Sequence, residues 1–183
     1  MIGRDSEVKE LNRIYKSNRA ELVAIYGQLG AGKTHLVDEV FTEKITFKHT
    51  SLPPVDKGNR KQLNLQLEHF YNSLIVHRMT DGDKPTDWLD AFFLLEKLLA
   101  SKDNGSRQVV FLDELPWLDT PKSYFISGFE SFWNNWACHR KNIMVIVCGS
   151  EVSWIKDKLI NNCGGLYGRV TWEIEVKPLN ARD

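Results

Sequence analysis

Short apolar runs in this chain alternate with stretches whose apolar residues recur every three or four positions. Val8, Leu11, Ile14 and Tyr15 line one face of a first helix, with Asp5 placed to cap it. Glu21 to Tyr26 is a buried strand, and Gly32 to Phe41 has helical spacing. Lys44 to Thr50 alternates as a second strand. Pro53, Pro54 and Gly58 interrupt the pattern; Asn59 and Gln62 then stand at capping-box spacing. The helix they open carries Leu63, Leu67, Phe70, Tyr71 and Leu74 on one face, and Asp81 to Pro85 reads as a turn. Trp88, Phe92, Leu95 and Leu99 mark the next helix. Arg107 to Asp113 is a third strand. Thr120-Pro121 has the form of a helix start, with Phe125, Phe129, Phe132, Trp133 and Trp136 as an aromatic stripe behind it. Ile143 to Cys148 is nearly all apolar, as a central parallel strand is. Val152 to Leu159 forms a short helix, and Thr171 to Val176 alternates like a strand nearer an edge. Strands separated by helices describe an α/β sandwich around a parallel sheet.

Composition narrows this picture. At 183 residues and 42% hydrophobic content, the chain is one domain with a substantial core. Its 24 basic and 24 acidic side chains leave no broad basic surface, so charge does not point to nucleic acid. No run approaches the roughly 20 apolar residues of a membrane span, and the N-terminus is too polar for a signal peptide. Cys138, Cys148 and Cys163 are widely spaced and unpaired by motif, as in a reduced, cytoplasmic protein; Cys148 falls in an apolar strand and reads as core. The many aromatic residues sit mostly at helical spacing, which favours packing over ligand stacking.

The densest chemistry lies between the first strand and the helix after it. Gly27-Gln28-Leu29-Gly30-Ala31-Gly32-Lys33-Thr34 has the spacing G-x-x-x-x-G-K-[ST], with His35 just inside the helix. Its glycines permit a tight path that turns backbone N–H groups inward, and the helix adds its positive end, so a phosphate fits here. Lys33 can reach the β- and γ-phosphates, and Thr34 offers a hydroxyl to Mg²⁺.

The second half of the chemistry is Val109-Val110-Phe111-Leu112-Asp113-Glu114, a buried strand ending in two acids at the edge where α/β sheets bind ligands. Asp113 is placed to hold magnesium, mostly through water, and Glu114 to orient and deprotonate an attacking water. A binder alone has no evident need for Glu114. Ser150 ends the apolar fourth strand; it can hold the water or touch the γ-phosphate, or simply cap the next helix. Arg169, after a glycine-rich run, either supplies transition-state charge in its own or a neighbour's site or faces solvent.

With these residues in place, the chain resembles the AAA+-related P-loop ATPases of prokaryotes, in particular the archaeal-type group allied to the STAND class. The resemblance rests on Ile2 to Glu7, the loop Gly27 to Thr34, Phe111 to Leu118, Cys148-Gly149-Ser150 with Ser153-Trp154, Asn162 to Leu166 with Gly168-Arg169, and Pro178-Leu179. It implies a three-layer αβα sandwich with a five-stranded parallel sheet in the order 5-1-4-3-2, and ATP with Mg²⁺ as cofactors. It also places Gly3-Arg4 near the adenine, Ser150 at the sensor-one position and Arg169 at the arginine-finger position. Where relatives carry loop arginines, this chain has Gln28 and Leu29, which leaves the amides and Lys33 intact, so binding is expected to survive at the loss of either a charge contact or a partner surface. The resemblance further implies a nucleotide-binding domain over 1–183 cut before a helical lid, with self-association or docking of a C-terminal domain as its assemblies. Three functions fit the residues: an ATPase driving conformational or assembly change, a nucleotide-gated interaction module that hydrolyses negligibly, and a small-molecule kinase. The last lacks an arginine-rich lid and an acceptor pocket.

Overall fold

In the computed structural model, which describes residues 2–80 and 82–180, helices and strands alternate much as their residues require. They are α1 (Asp5–Tyr15), β1 (Glu21–Tyr26), α2 (Lys33–Val40), β2 (Ile45–Thr50), α3 (Asn59–Val76) and α4 (Trp88–Ser101). The rest are β3 (Gln108–Asp113), α5 (Phe125–Asn135), β4 (Ile143–Gly149), α6 (Val152–Ile155) and β5 (Trp172–Glu175). Asp81 of the expected turn and residues 181–183 lie outside the described residues. The strands form one sheet in the order β2-β3-β4-β1-β5. All the pairings are parallel. The expected order 5-1-4-3-2 is therefore the observed one, read from the other edge.

Every residue of β1, β3 and β4 is buried, because helices cover both faces. On one face Leu22, Ala24, Val110, Leu112, Val145 and Val147 pack beneath α3, α4 and α5. There Phe70 meets Trp88 edge-on at 5.5 Å, and Phe92 stacks with Phe132 at 5.2 Å, so these aromatics serve the core. On the other face Val23, Ile25, Val109, Phe111, Met144 and Ile146 meet Leu11, Ile14, Leu36 and Val37 of α1 and α2. Cys148 is fully buried in that layer, where burial pushes its thiol pKa well up and leaves it inert. Among the described residues, no helix is long and apolar enough to cross a membrane.

Three helix starts differ from the sequence expectation. Asp5 is the first helical residue of α1, not its cap; Arg4 precedes it, and Asp5 instead places an acid in the first turn. α3 is entered from Gly58, and the Gln62 side chain donates to the Lys57 carbonyl instead of closing a box with Asn59. Thr120-Pro121 opens a turn, not a helix. The Ser123 amide bonds the Thr120 carbonyl at 3.1 Å, Lys122 takes φ +58°, and Tyr124 at φ +56° delays α5 until Phe125. The helix expected over Val152 to Leu159 begins as α6 and then widens, with the Asn161 amide reaching the Lys156 carbonyl at 2.7 Å.

Candidate functional site

Parallel pairing brings the C-terminal ends of β1, β3 and β4 to one edge of the sheet. β1 runs beside β4 with Tyr26 opposite Gly149, and β3 runs on β4's other side with Leu112 opposite Val147. Three groups therefore converge there: the loop after Tyr26, Asp113 and Glu114 at the end of β3, and Ser150 just past β4.

The loop closes over its own lysine. Gly27 lies so near the chain after β5 that a Cβ there would come within 2.1 Å of the Val176 carbonyl oxygen, so only glycine fits. Gly32, at φ +94°, turns the chain into α2. The first helical bond of α2 runs from the Leu36 amide to the Gly32 carbonyl at 3.0 Å, so the amides of Lys33, Thr34 and His35 have no acceptor within the helix. Converging amides at a helix N-terminus are suited to a phosphate. Lys33 is buried, and its Nζ donates to the carbonyls of Gly27 at 2.8 Å and Gln28 at 3.0 Å. An ammonium held by loop carbonyls can exchange them for an anion without crossing the site.

Thr34 Oγ1 donates to Asp113 Oδ2 at 2.7 Å, and Asp113 Oδ1 is buried without a hydrogen-bond partner. A hydroxyl oxygen and an unpartnered carboxylate oxygen side by side are the hard ligands that Mg²⁺ takes, so the residues fit that ion. Burial raises the Asp113 pKa above its ordinary value and the Glu114 charge adds to this, while the Thr34 hydrogen bond and Lys48 oppose it. A divalent cation would relieve that burden.

Glu114 is only 8% exposed and holds φ +54°, an uncommon conformation for a residue with a side chain. Its Oε1 accepts from Ser150 Oγ at 2.7 Å, and its Oε2 from the Ser150 amide at 3.3 Å. Ser150 thus meets the acid directly, from just before the first turn of α6.

The remaining candidates are arranged more loosely. Gln28 and Leu29 form the crest of the loop, with Leu29 77% exposed. His35 is exposed and lies 3.0 Å from Glu39. Arg4 is buried, and its guanidinium donates to the Ala31 and Lys177 carbonyls, with Gly3 beside it at φ +72°. Arg169 is exposed, and among the described residues no side-chain hydrogen bond or ion pair ties it to the site. Sequence reasoning missed Ser51, whose amide and hydroxyl both donate to the Asp113 carbonyl, at 3.1 and 3.3 Å. A polar residue just past the end of β2 was the only signal for it.

Comparison with known proteins bears on the fold and the family. A curated relative, an uncharacterized protein of Methanocaldococcus jannaschii, is 27% identical over 180 residues, which is 97% of this chain and 36% of that protein. Among solved structures, the Walker-type ATPase of Pyrococcus abyssi superposes over 100% of this chain and 55% of its own, at 18% identity and a TM-score of 0.61. The ORC2 protein of Aeropyrum pernix in its ADP form covers 100% of this chain and 50% of its own, at 17% identity and a TM-score of 0.64. These structural likenesses establish the fold. This chain spans about a third of the curated relative and about half of each of these structures. The model of one family, the ATPase domains found predominantly in Archaea, matches residues 1–183, and the chain belongs to that family.

Proposed function

We propose that this domain binds Mg·ATP at the C-terminal edge of its sheet and hydrolyses it, turning nucleotide state into a conformational or assembly change. The observation that carries the reading is the 2.7 Å hydrogen bond between Thr34 and Asp113, which joins two motifs 79 residues apart in sequence. Lys33 leaves the Gly27 and Gln28 carbonyls to meet the β- and γ-phosphates, and the amides at the start of α2 face the same oxygens. Thr34 and Asp113 would hold the Mg²⁺, which would supply charge neutralisation for the phosphate oxygens. Glu114 takes a proton from the attacking water as the new oxygen–phosphorus bond forms and the bond to the β-phosphate oxygen breaks, giving ADP and phosphate. Ser150 steadies its carboxylate. Arg169 adds positive charge from its own chain or from a neighbouring copy. The adenine preference rests on the family resemblance, which places Gly3-Arg4 near the base. As a nucleotide-binding core, residues 1–183 act together with a helical lid, a docked C-terminal domain or further copies of themselves.

Phosphate release from the native chain, Lys33→Ala and Glu114→Gln tests this. Lys33→Ala should weaken ATP binding at least tenfold, while Glu114→Gln keeps binding and slows turnover about 10²- to 10⁴-fold. Unchanged turnover in Glu114→Gln removes it as the base.

One observation favours a second reading, a nucleotide-gated interaction module with negligible hydrolysis: both Glu114 carboxylate oxygens are occupied by Ser150. On that reading the native chain retains ATP without turning it over, and Ser150→Ala, which removes the hydroxyl and keeps the amide, frees Glu114 Oε1 and raises phosphate release.

A further inference from the structure

Arg4 is a charged residue only 5% exposed, and one nitrogen of its guanidinium donates to two backbone carbonyls. Nη2 donates to the Ala31 carbonyl at 2.6 Å, inside the phosphate loop, and to the Lys177 carbonyl at 2.7 Å, just beyond β5. Nη1 stands 3.6 Å from Glu7, which orients the group from α1. We propose that Arg4 is a positioning residue that couples the phosphate loop to the segment leaving β5, so that filling the loop is felt at Val176 and Lys177. The proposal rests on the nucleotide reading of the loop and adds to it a route out of the site.

The loop meets this segment on both of its shoulders. At the first, Gly27 lies against the Val176 carbonyl with no room for a Cβ, and the Val176 amide bonds the Tyr26 carbonyl at 2.8 Å. At the second, a single nitrogen of Arg4 bridges the loop's Ala31 to Lys177. The element that must move lies between them. Lys33 holds the Gly27 carbonyl at 2.8 Å and has to release it to meet a phosphate, which changes the partners of the residue packed on Val176. Arg4 keeps the far shoulder in register with the same segment during that exchange.

Arg107 shows how a purely structural arginine looks in this fold. Its guanidinium bonds the carbonyls of Arg19, Lys141 and Ile14 together with Ser17 Oγ. Those groups sit at the other end of the strands, in the last turn of α1 and in the connections that lead into β1 and β4. Arg4 uses the same backbone-bridging chemistry, but one of its two acceptors belongs to a ligand loop. A coupling of this kind is reciprocal, so whatever pulls on the segment beyond β5 also changes nucleotide affinity.

Hydrogen exchange of the whole chain, with and without saturating Mg·ADP, tests this in the native protein, Arg4→Lys and Arg4→Met. In the native chain Mg·ADP should slow exchange both in the loop and over residues 173–180. In Arg4→Met, at saturating nucleotide, the loop should still be protected while 173–180 no longer responds, and affinity should fall about tenfold. Without nucleotide, Arg4→Met should speed exchange in both segments together. Arg4→Lys, which keeps the charge and one donor direction, should be intermediate and guards against a variant that fails to fold. A 173–180 response that survives in Arg4→Met, or is missing in a native chain that binds Mg·ADP, overturns the coupling. A native chain that ignores Mg·ADP sinks the reading of the site instead, and the nucleotide-free comparison then decides whether Arg4 holds the two segments together.

Discussion

Asp113 and Glu114 are adjacent acids with opposite surroundings. Asp113 is buried with one unpartnered oxygen, while Glu114 has a hydrogen-bond donor on each of its oxygens. Burial raises the Asp113 pKa above its ordinary 3.8, so the folded protein holds that proton more tightly than the unfolded chain does. Its contribution to stability is therefore greatest below the ordinary value and is lost as pH rises through the raised one. Metal binding runs the other way, because Mg²⁺ needs the ionised form. Acidification towards the raised pKa should weaken Mg²⁺-dependent nucleotide binding, as measured by titration calorimetry at several pH values. Asp113→Asn should remove both the Mg²⁺ dependence and this pH slope, and should stabilise the metal-free fold near neutral pH. A pH slope that persists in Asp113→Asn would assign it to another group.

The elements differ in how much of them the sequence reveals. β1, β3 and β4 are legible because burial on both faces leaves continuous apolar runs, and the phosphate loop because its chemistry is contiguous. Cap geometry is less so: Thr120-Pro121 resembles a helix start, but the left-handed conformations of Lys122 and Tyr124 postpone α5. Contact between distant segments is legible where two motifs share one ligand, as Thr34 and Asp113 do, and not elsewhere. Ser51 reaches Asp113 across 62 residues and Arg4 reaches Lys177 across 173, and no local pattern encodes either. Gly128 is an intermediate case, since a glycine within a helix signals close approach without naming the neighbour. Here the neighbour is α4: a Cβ on Gly128 would lie 2.8 Å from Trp88 Cβ and 3.0 Å from its carbonyl carbon. Gly128→Ala gains about 1 kcal/mol of helix propensity. Overpacking against groups that cannot swing away costs about 1–3 kcal/mol. The clash should win, so Gly128→Ala should lower stability in denaturant unfolding; a stabilised variant would mean that α4 and α5 separate easily.

At the scale of the whole molecule, the heavier aromatic core lies under α3, α4 and α5, while the phosphate loop runs into α2 on the opposite face of the sheet. Stability and ligand response are therefore separable. Anything that binds only the folded state stabilises it by mass action, about 2.7 kcal/mol at one hundred times Kd. For a chain of this size that corresponds to a Tm rise of about 5–10 °C. Mg·ATP should produce such a shift in the native chain. Lys33→Ala leaves the aromatic core intact, so it should melt close to the unliganded native protein and lose most of the shift. Gly128→Ala should do the reverse, lowering the starting Tm while keeping the nucleotide-dependent rise, because Trp88 and Gly128 lie across the sheet from α2. If Gly128→Ala also abolished the rise, the two faces would be energetically coupled, and the site could not be treated as an edge feature of a separately stable sheet.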